Sequence, residues 1–156
     1  MTPRQVALVR RLTPGDAAAV QAFVRGLSSR SRYERFFTPV AELSPRQLER
    51  ITSGAGFSIG LFDAAGRLVG LAEYARSSDG EAEFGIVVAD DCQGQGLGAQ
   101  LVGALLEHAK RSGVARLAGV THTRNRAMRV LARRLGFGVQ PDEDPDLVRM
   151  ELALAA

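Results

Sequence analysis

The stretch DDCQGQGLGAQLVGALLEHA, residues 90–109, constrains this chain more than any other. Glycines stand at alternate positions, Gly94, Gly96 and Gly98, and an amphipathic helical pattern begins directly behind them. Glycine adopts positive φ freely and lets a ligand come close to main-chain N–H groups, so glycines at a helix start point to an anion site, most often for phosphate. Gly94, Gly96 and Ala99 satisfy the dinucleotide pattern G-x-G-x-x-A. That fold also wants an acid at the end of the next strand, where this chain reads ARLAGVTH (115–122). A P-loop needs Lys and then Ser or Thr after its last glycine, and Gly98 is followed by Ala99 and Gln100. A diphosphate cradle of another kind remains, beside a plain tight turn.

The flanking sequence tells what the loop connects. VALVRRL (6–12) reads as a first strand, and Thr13, Pro14 and Asp16 open a helix running to about Leu27. A short helix follows in SSRSRYERFF, with Tyr33, Phe36 and Phe37 at helical spacing and expected mainly in the core. Ser44, Pro45 and Gln47 form a capping box for the next helix, which Gly54 and Gly56 stop. The period then changes to two: FSIGLFDA (57–64), a turn at Ala65 and Gly66, and RLVGLAEYAR (67–76) make a hairpin. After the turn SSDG comes EAEFGIVVAD (81–90), in which Glu81 reads as a turn residue. Behind the loop follow a helix over 97–111, a buried strand (115–121), a helix from Arg124 to Leu135, a short strand FGVQ, the acidic loop PDEDPD (141–146) and a last strand LVRMELAL. This order predicts one α/β (α+β) domain over residues 1–156, a mixed, mostly antiparallel sheet of six to seven strands with helices on both faces.

Composition narrows the function classes. Residues are 46% hydrophobic and 24% charged, as in an ordinary globular domain. No run approaches 18 apolar residues, and MTPRQVALVRRL lacks a signal peptide's apolar segment, so no membrane partner and a cytoplasmic location are expected. Cys92 is the only cysteine, and with His108 and His122 as the only histidines there is no ligand set for structural zinc. The +3 net charge is spread along the chain, its densest cluster at Arg124, Arg126, Arg129, Arg133 and Arg134 away from the aromatics, which argues against nucleic acid and for a local anion.

The element order and the loop together resemble the Gcn5-related N-acetyltransferase family, whose signature [Q/R]-x-x-G-x-[G/A] is met by Gln93, Gly96 and Gly98. NRAMRVLARRLGFG (125–138) is similar to the family's second CoA-binding segment. Within the family, LSSRSRYERFFTPVAELSPRQLERIT (27–52) and AEFGIVVADDCQGQGLG resemble the acetyltransferase domain of bacterial Pat-type protein lysine acetyltransferases.

The resemblance implies acetyl-CoA as cofactor and a protein lysine or small amine as acceptor, in a monomer or homodimer. A non-catalytic CoA-sensing module stays open as an alternative. Backbone amides of Gln93, Gly94, Gln95, Gly96, Leu97, Gly98 and Ala99 would hold the diphosphate, with Asn125 and Met128 on the neighbouring helix. Ile86, Val87 and Val88 would lie on a strand splayed from its neighbour, their main chain holding the pantetheine and polarising the thioester carbonyl. Arg124, Arg126 or Arg129 would meet the 3′-phosphate. Transfer to an amine requires loss of a proton, and Glu83, ten residues before Gln93, is the expected base with Glu73 as its deputy. Many members place a leaving-group tyrosine seven residues after the Asn; here that position is Ala132, leaving Tyr33, Tyr74 or no acid at all. Cys92 as an acetyl carrier, and His122 as a catalyst, are the weaker readings.

Overall fold

The computed structural model describes residues 6–37, 39–54, 56–78 and 80–154. Strands occupy β1 (Val6–Arg11), β2 (Phe57–Asp63), β3 (Leu68–Ser78), β4 (Glu81–Val88), β5 (Arg116–His122), β6 (Gly138–Pro141) and β7 (Leu147–Ala153). Helices occupy α1 (Ala17–Gly26), α2 (Ser29–Phe36), α3 (Pro45–Ser53), α4 (Leu97–Arg111) and α5 (Arg126–Arg134). Their order is the one the sequence predicts. Among the described residues no helix is long and apolar enough to cross a membrane.

Local chemistry sets the boundaries. Ser44 Oγ accepts the Gln47 amide at 3.2 Å while Gln47 Oε1 accepts the Ser44 amide at 2.8 Å, and Pro45 sits where its missing N–H costs nothing. In the β2–β3 hairpin, Asp63 Oδ1 accepts the amides of Ala65 and Arg67, and Gly66 takes the positive φ of 83° the turn demands. Sequence reasoning needs correction at three places. A 3₁₀ turn over Pro14–Asp16 precedes α1, because Asp16 turns back to accept the Thr13 amide at 2.7 Å and the Arg10 guanidinium. β3 runs on to Ser78, into the expected turn, and Glu81 is already in β4, paired with Ser78 and Arg116. Tyr33 is 37% exposed, since α2 leans on the sheet through one short face only.

The sheet has the order β1-β2-β3-β4-β5-β7-β6, and every neighbouring pair is antiparallel except β4 with β5. Helices cover both faces. On one, α4 and α5 pack Leu101, Val102, Leu105 and Ala132 onto Ala72, Phe84 and Leu117. On the other, α1 and α3 pack Val20, Val24 and Ile51 onto Phe62, Leu71 and Val87. Each such fully buried aliphatic side chain contributes about 1.5–3 kcal/mol. The sheet is thus fixed on both sides, and an irregularity in it is held in place.

Candidate active site

That irregularity is a fork between β4 and β5. β3 pairs with β4 along its whole length, up to Gly70 with Val88, whereas β5 pairs with β4 only through Glu81–Arg116, Ala82–Leu117 and Glu83–Ala118. Beyond Glu83 the strands part, with Gly119 so close to Phe84 that an added Cβ would lie 2.8 Å from its ring and 3.0 Å from its carbonyl oxygen. The Ala89 amide bonds Val69 O at 2.8 Å, so alternation along the ladder turns the Val87 amide to β3 and the amides of Ile86 and Val88 toward the open side. Val87 also sends its side chain into the core facing α1 and α3. A cleft of roughly 640 Å³ fills the fork, lined by Glu83, Ile86, Val87 and Val88 on β4 and by Val120 and Thr121 on β5.

The glycine loop closes one end of this cleft. Gly94 and Gly96 both have φ of 79°, and the space where a Cβ would stand is empty. Gln100 is the first α4 amide to find a helical carbonyl, Gly96 O at 3.2 Å, so the amides of Leu97, Gly98 and Ala99 have none one turn back. Positive backbone ends and an unobstructed approach make this a cradle for an anion. Gly98 serves differently from its neighbours: a Cβ there would meet Leu131 at 3.1 Å, so it lets α4 approach α5. Gln93, Gly94, Gly96, Leu97, Gly98 and Ala99 line the cleft, and Gln95 points outward, exposed. Gln93 Nε2 donates to Val88 O at 3.0 Å, bracing the loop against the strand.

α5 forms the far wall. Asn125 caps it, accepting the Met128 amide at 3.2 Å and donating to Thr121 Oγ1 at 3.2 Å, and both Asn125 and Met128 line the cleft. Of the arginines on and just before this helix, Arg134 lines the cleft, while Arg124, Arg126 and Arg129 do not. Ala132 is wholly buried.

On the side of α2 the charges sort into pairs. Arg35 lies on the Cα of Gly85, where a Cβ would stand 2.6 Å from its Cζ, and it makes an ion pair with Glu73. Arg149 bonds Glu81 at 2.8 Å and Glu151 at 2.5 Å, and stands 3.9 Å from Glu83. Glu83 is the carboxylate left open, its side chain 57% exposed at the fork. Glu73 is outside the cleft lining and engaged by Arg35. Tyr74 faces α4, its hydroxyl 2.8 Å from His108 Nδ1, and Tyr33 stacks on His122, so neither tyrosine stands in the cleft. Cys92 is fully buried, and His122, at the end of β5, is buried between Tyr33 and Phe37. Sequence reasoning missed Arg35 and Arg50 and named Arg134 only as one of a basic cluster; their placement depends on packing between distant segments.

The fork, the glycine cradle and the capped α5 suit a long thioester carrying a diphosphate at one end. A family profile for the acetyltransferase (GNAT) domain matches residues 7–138. The chain belongs to the GNAT acetyltransferase family. It is similar to an acetyltransferase of Pseudomonas aeruginosa, 35% identical over 144 residues that cover 88% of this chain and 77% of that protein. An L-methionine sulfoximine/L-methionine sulfone acetyltransferase of the same species is 38% identical over 82 residues, 49% of this chain and 48% of that one. Among solved structures, the GNAT domain of S. lividans PAT superposes with a TM-score of 0.88 at 26% identity, covering 94% of this chain and 89% of that one. GNAT acetyltransferases use acetyl-CoA, and the residues in the cleft fit it.

Proposed function

We propose that this acetyltransferase acetylates the side-chain amine of a protein lysine by direct attack, with Glu83 as general base. The observation that carries the reading is the place of Glu83, the last β4 residue paired with β5, its carboxylate open to solvent where the cleft begins. An unperturbed lysine has a pKa of about 10.4 and reaches the site as ammonium, so a carboxylate must accept its proton, directly or through one water. Acetyl-CoA supplies the acetyl group already activated as a thioester. The amides of Ile86 and Val88 on the open side are the donors for a carbonyl and for pantetheine, each worth roughly 3–4 kcal/mol when aimed at developing charge. Gln93 to Ala99 hold the diphosphate at the start of α4, and Asn125 and Met128 shape the opposite wall. A thiol of pKa about 8.5 leaves without a dedicated acid.

Pairing of Arg35 with Glu73 and of Arg149 with Glu81 and Glu151 supports a cationic acceptor without a carboxylate of its own. The similarity to the PAT domain, spanning 94% of the chain, points the same way. A second reading is a small amine bearing a carboxylate, such as a free amino acid. Arg50 favours it: exposed, lining the cleft and, among the described residues, in no ion pair. The two readings separate when labelled acetyl-CoA is offered with lysine-containing peptides and, separately, with methionine sulfone. Transfer to peptide lysine alone supports the first. Transfer to the free amino acid alone, weakened by Arg50→Ala, replaces it with the second.

A further inference from the structure

α2 lies across the mouth of the fork and is tied to both of its arms. At its N-terminus the Ser28 amide donates to Asp90 Oδ2 at 2.8 Å, while the hydroxyls of Ser28 and Ser31 donate to Asp90 Oδ1 at 2.8 and 2.6 Å. Asp90 stands between Val88 and the glycine loop, 62 residues further along the chain than Ser28. Gln93 of the loop adds a longer contact, its Nε2 at 3.5 Å from Ser31 Oγ. At the other end of α2, Tyr33 and Phe37 flank the His122 ring of β5 at 5.1 and 5.0 Å. Between these ties Arg35 crosses Gly85 and reaches Glu73 on the acceptor side.

We propose that Asp90 is a positioning residue that couples the anion cradle to α2, so that a filled loop sets the acceptor-side wall of the cleft. An eight-residue helix has little stability of its own, and its placement follows its attachments. Asp90 provides three of them on one carboxylate, and bonds to a charged acceptor are the strong kind. Burial works against this carboxylate, yet the bonds from Ser31 and Ser28 prevail and hold its pKa below the ordinary value. Because Phe37 and Tyr33 fix the far end on His122, a displacement of the loop tilts α2 about that anchor and carries Arg35 along Gly85.

The coupling rests on the reading of residues 93–98 as the diphosphate cradle, and one experiment tests the two separately. Amide hydrogen exchange is followed by mass spectrometry with and without coenzyme A, for the wild type, Asp90→Ala, Asp90→Asn and Ser31→Ala, each first shown to be folded by a cooperative melt. Coenzyme A is expected to slow exchange in residues 93–100 of every variant. In residues 29–37 it is expected to slow exchange about tenfold in the wild type and less than about twofold in Asp90→Ala. Asp90→Asn, which keeps one acceptor oxygen, and Ser31→Ala, which loses one donor, should fall between. Equal protection of α2 in the wild type and Asp90→Ala overturns the coupling, as does a wild-type α2 indifferent to coenzyme A. A loop left unprotected in the wild type defeats the cradle reading and the coupling with it.

Discussion

Glu83 and Ala118 are the last residues that β4 and β5 share, and the carboxylate of Glu83 stands where the two strands separate. A base placed there reaches into the cleft without obstructing the main chain that lines it. Arg149, 3.9 Å away, is committed to Glu81 and Glu151 at shorter range, so Glu83 keeps its lone pairs available.

Glu83→Gln is therefore expected to leave coenzyme A affinity within about twofold and to lower kcat by about 10²–10³ near neutral pH. The deficit should narrow as pH approaches the acceptor's own pKa, about 10.4 for lysine, because the amine then arrives unprotonated. Calorimetric titration with coenzyme A and a thiol-release assay between pH 7 and 10 check both parts. Glu73→Gln should have a smaller effect on kcat. A larger one would make Glu73 the base.

The two kinds of glycine in the loop should fail differently. Gly96 has φ of 79° with open space beside it, so Gly96→Trp costs about 1–2 kcal/mol of backbone strain and fills the anion cradle. The variant should fold and lose acetyl-CoA binding. Gly98→Val instead presses on Leu131, 3.1 Å from the new Cβ, and should lower the melting temperature through α4–α5 packing. Thermal melts beside titration calorimetry distinguish the outcomes.

Asp16 gives a pH signature away from the site. The Arg10 guanidinium, bonded at 2.8 Å and 2.9 Å, holds this carboxyl far below the ordinary carboxylate range against the opposing effect of burial, and the Thr13 amide helps. With the folded pKa below an unfolded value of about 3.9, the stabilisation is complete above about pH 5 and declines as pH falls through that value. Asp16→Asn should cost about 1–3 kcal/mol at pH 7, by urea unfolding, and the gap to the wild type should narrow toward pH 2.

The order of elements and the glycine loop were readable because their causes are local. Ser44 and Gln47 cap within one turn, Gly66 and Gly96 take positive φ, and the change from period two to period 3.6 behind Gly98 is visible in the letters alone. Glu83 is singled out by its place ten residues before Gln93 in the family resemblance, and the structure sets it at the fork with its carboxylate exposed. Arg35 on Glu73 and the serines on Asp90 could not be found so, since those contacts join segments 38 to 62 residues apart and neither residue type advertises its partner. Tyr33 misled for a related reason. Helical spacing with Phe36 signals a shared face, but only tertiary packing decides whether that face meets the middle of the sheet or, as here for Tyr33, stacks on His122 at the end of β5. Gly94 and Gly98 look alike in sequence and differ in role, one freed by φ and the other required by a neighbour's side chain.

Gly119 tests whether the fork itself is what the site depends on. It is the first β5 residue past the last shared pair, and a Cβ there would stand 3.0 Å from the Phe84 carbonyl oxygen and 2.8 Å from the Phe84 ring. The ring can turn, though it also packs at a tilt against Phe137 with centroids 5.3 Å apart; the carbonyl belongs to the strand and cannot yield without moving β4. Gly119→Ala should thus wedge the strands where they begin to part, costing about 1–3 kcal/mol as overpacking does. Widening at Phe84 displaces the amides of Ile86 and Val88, so acetyl-CoA affinity should fall although no cleft-lining side chain has been removed. Gly113→Ala, where φ is 78° and nothing lies within 4 Å, controls for loss of stability by strain alone. If both variants melt lower but only Gly119→Ala binds acetyl-CoA more weakly, the opening between the strands governs binding; equal affinities would place the binding determinants in the loop alone.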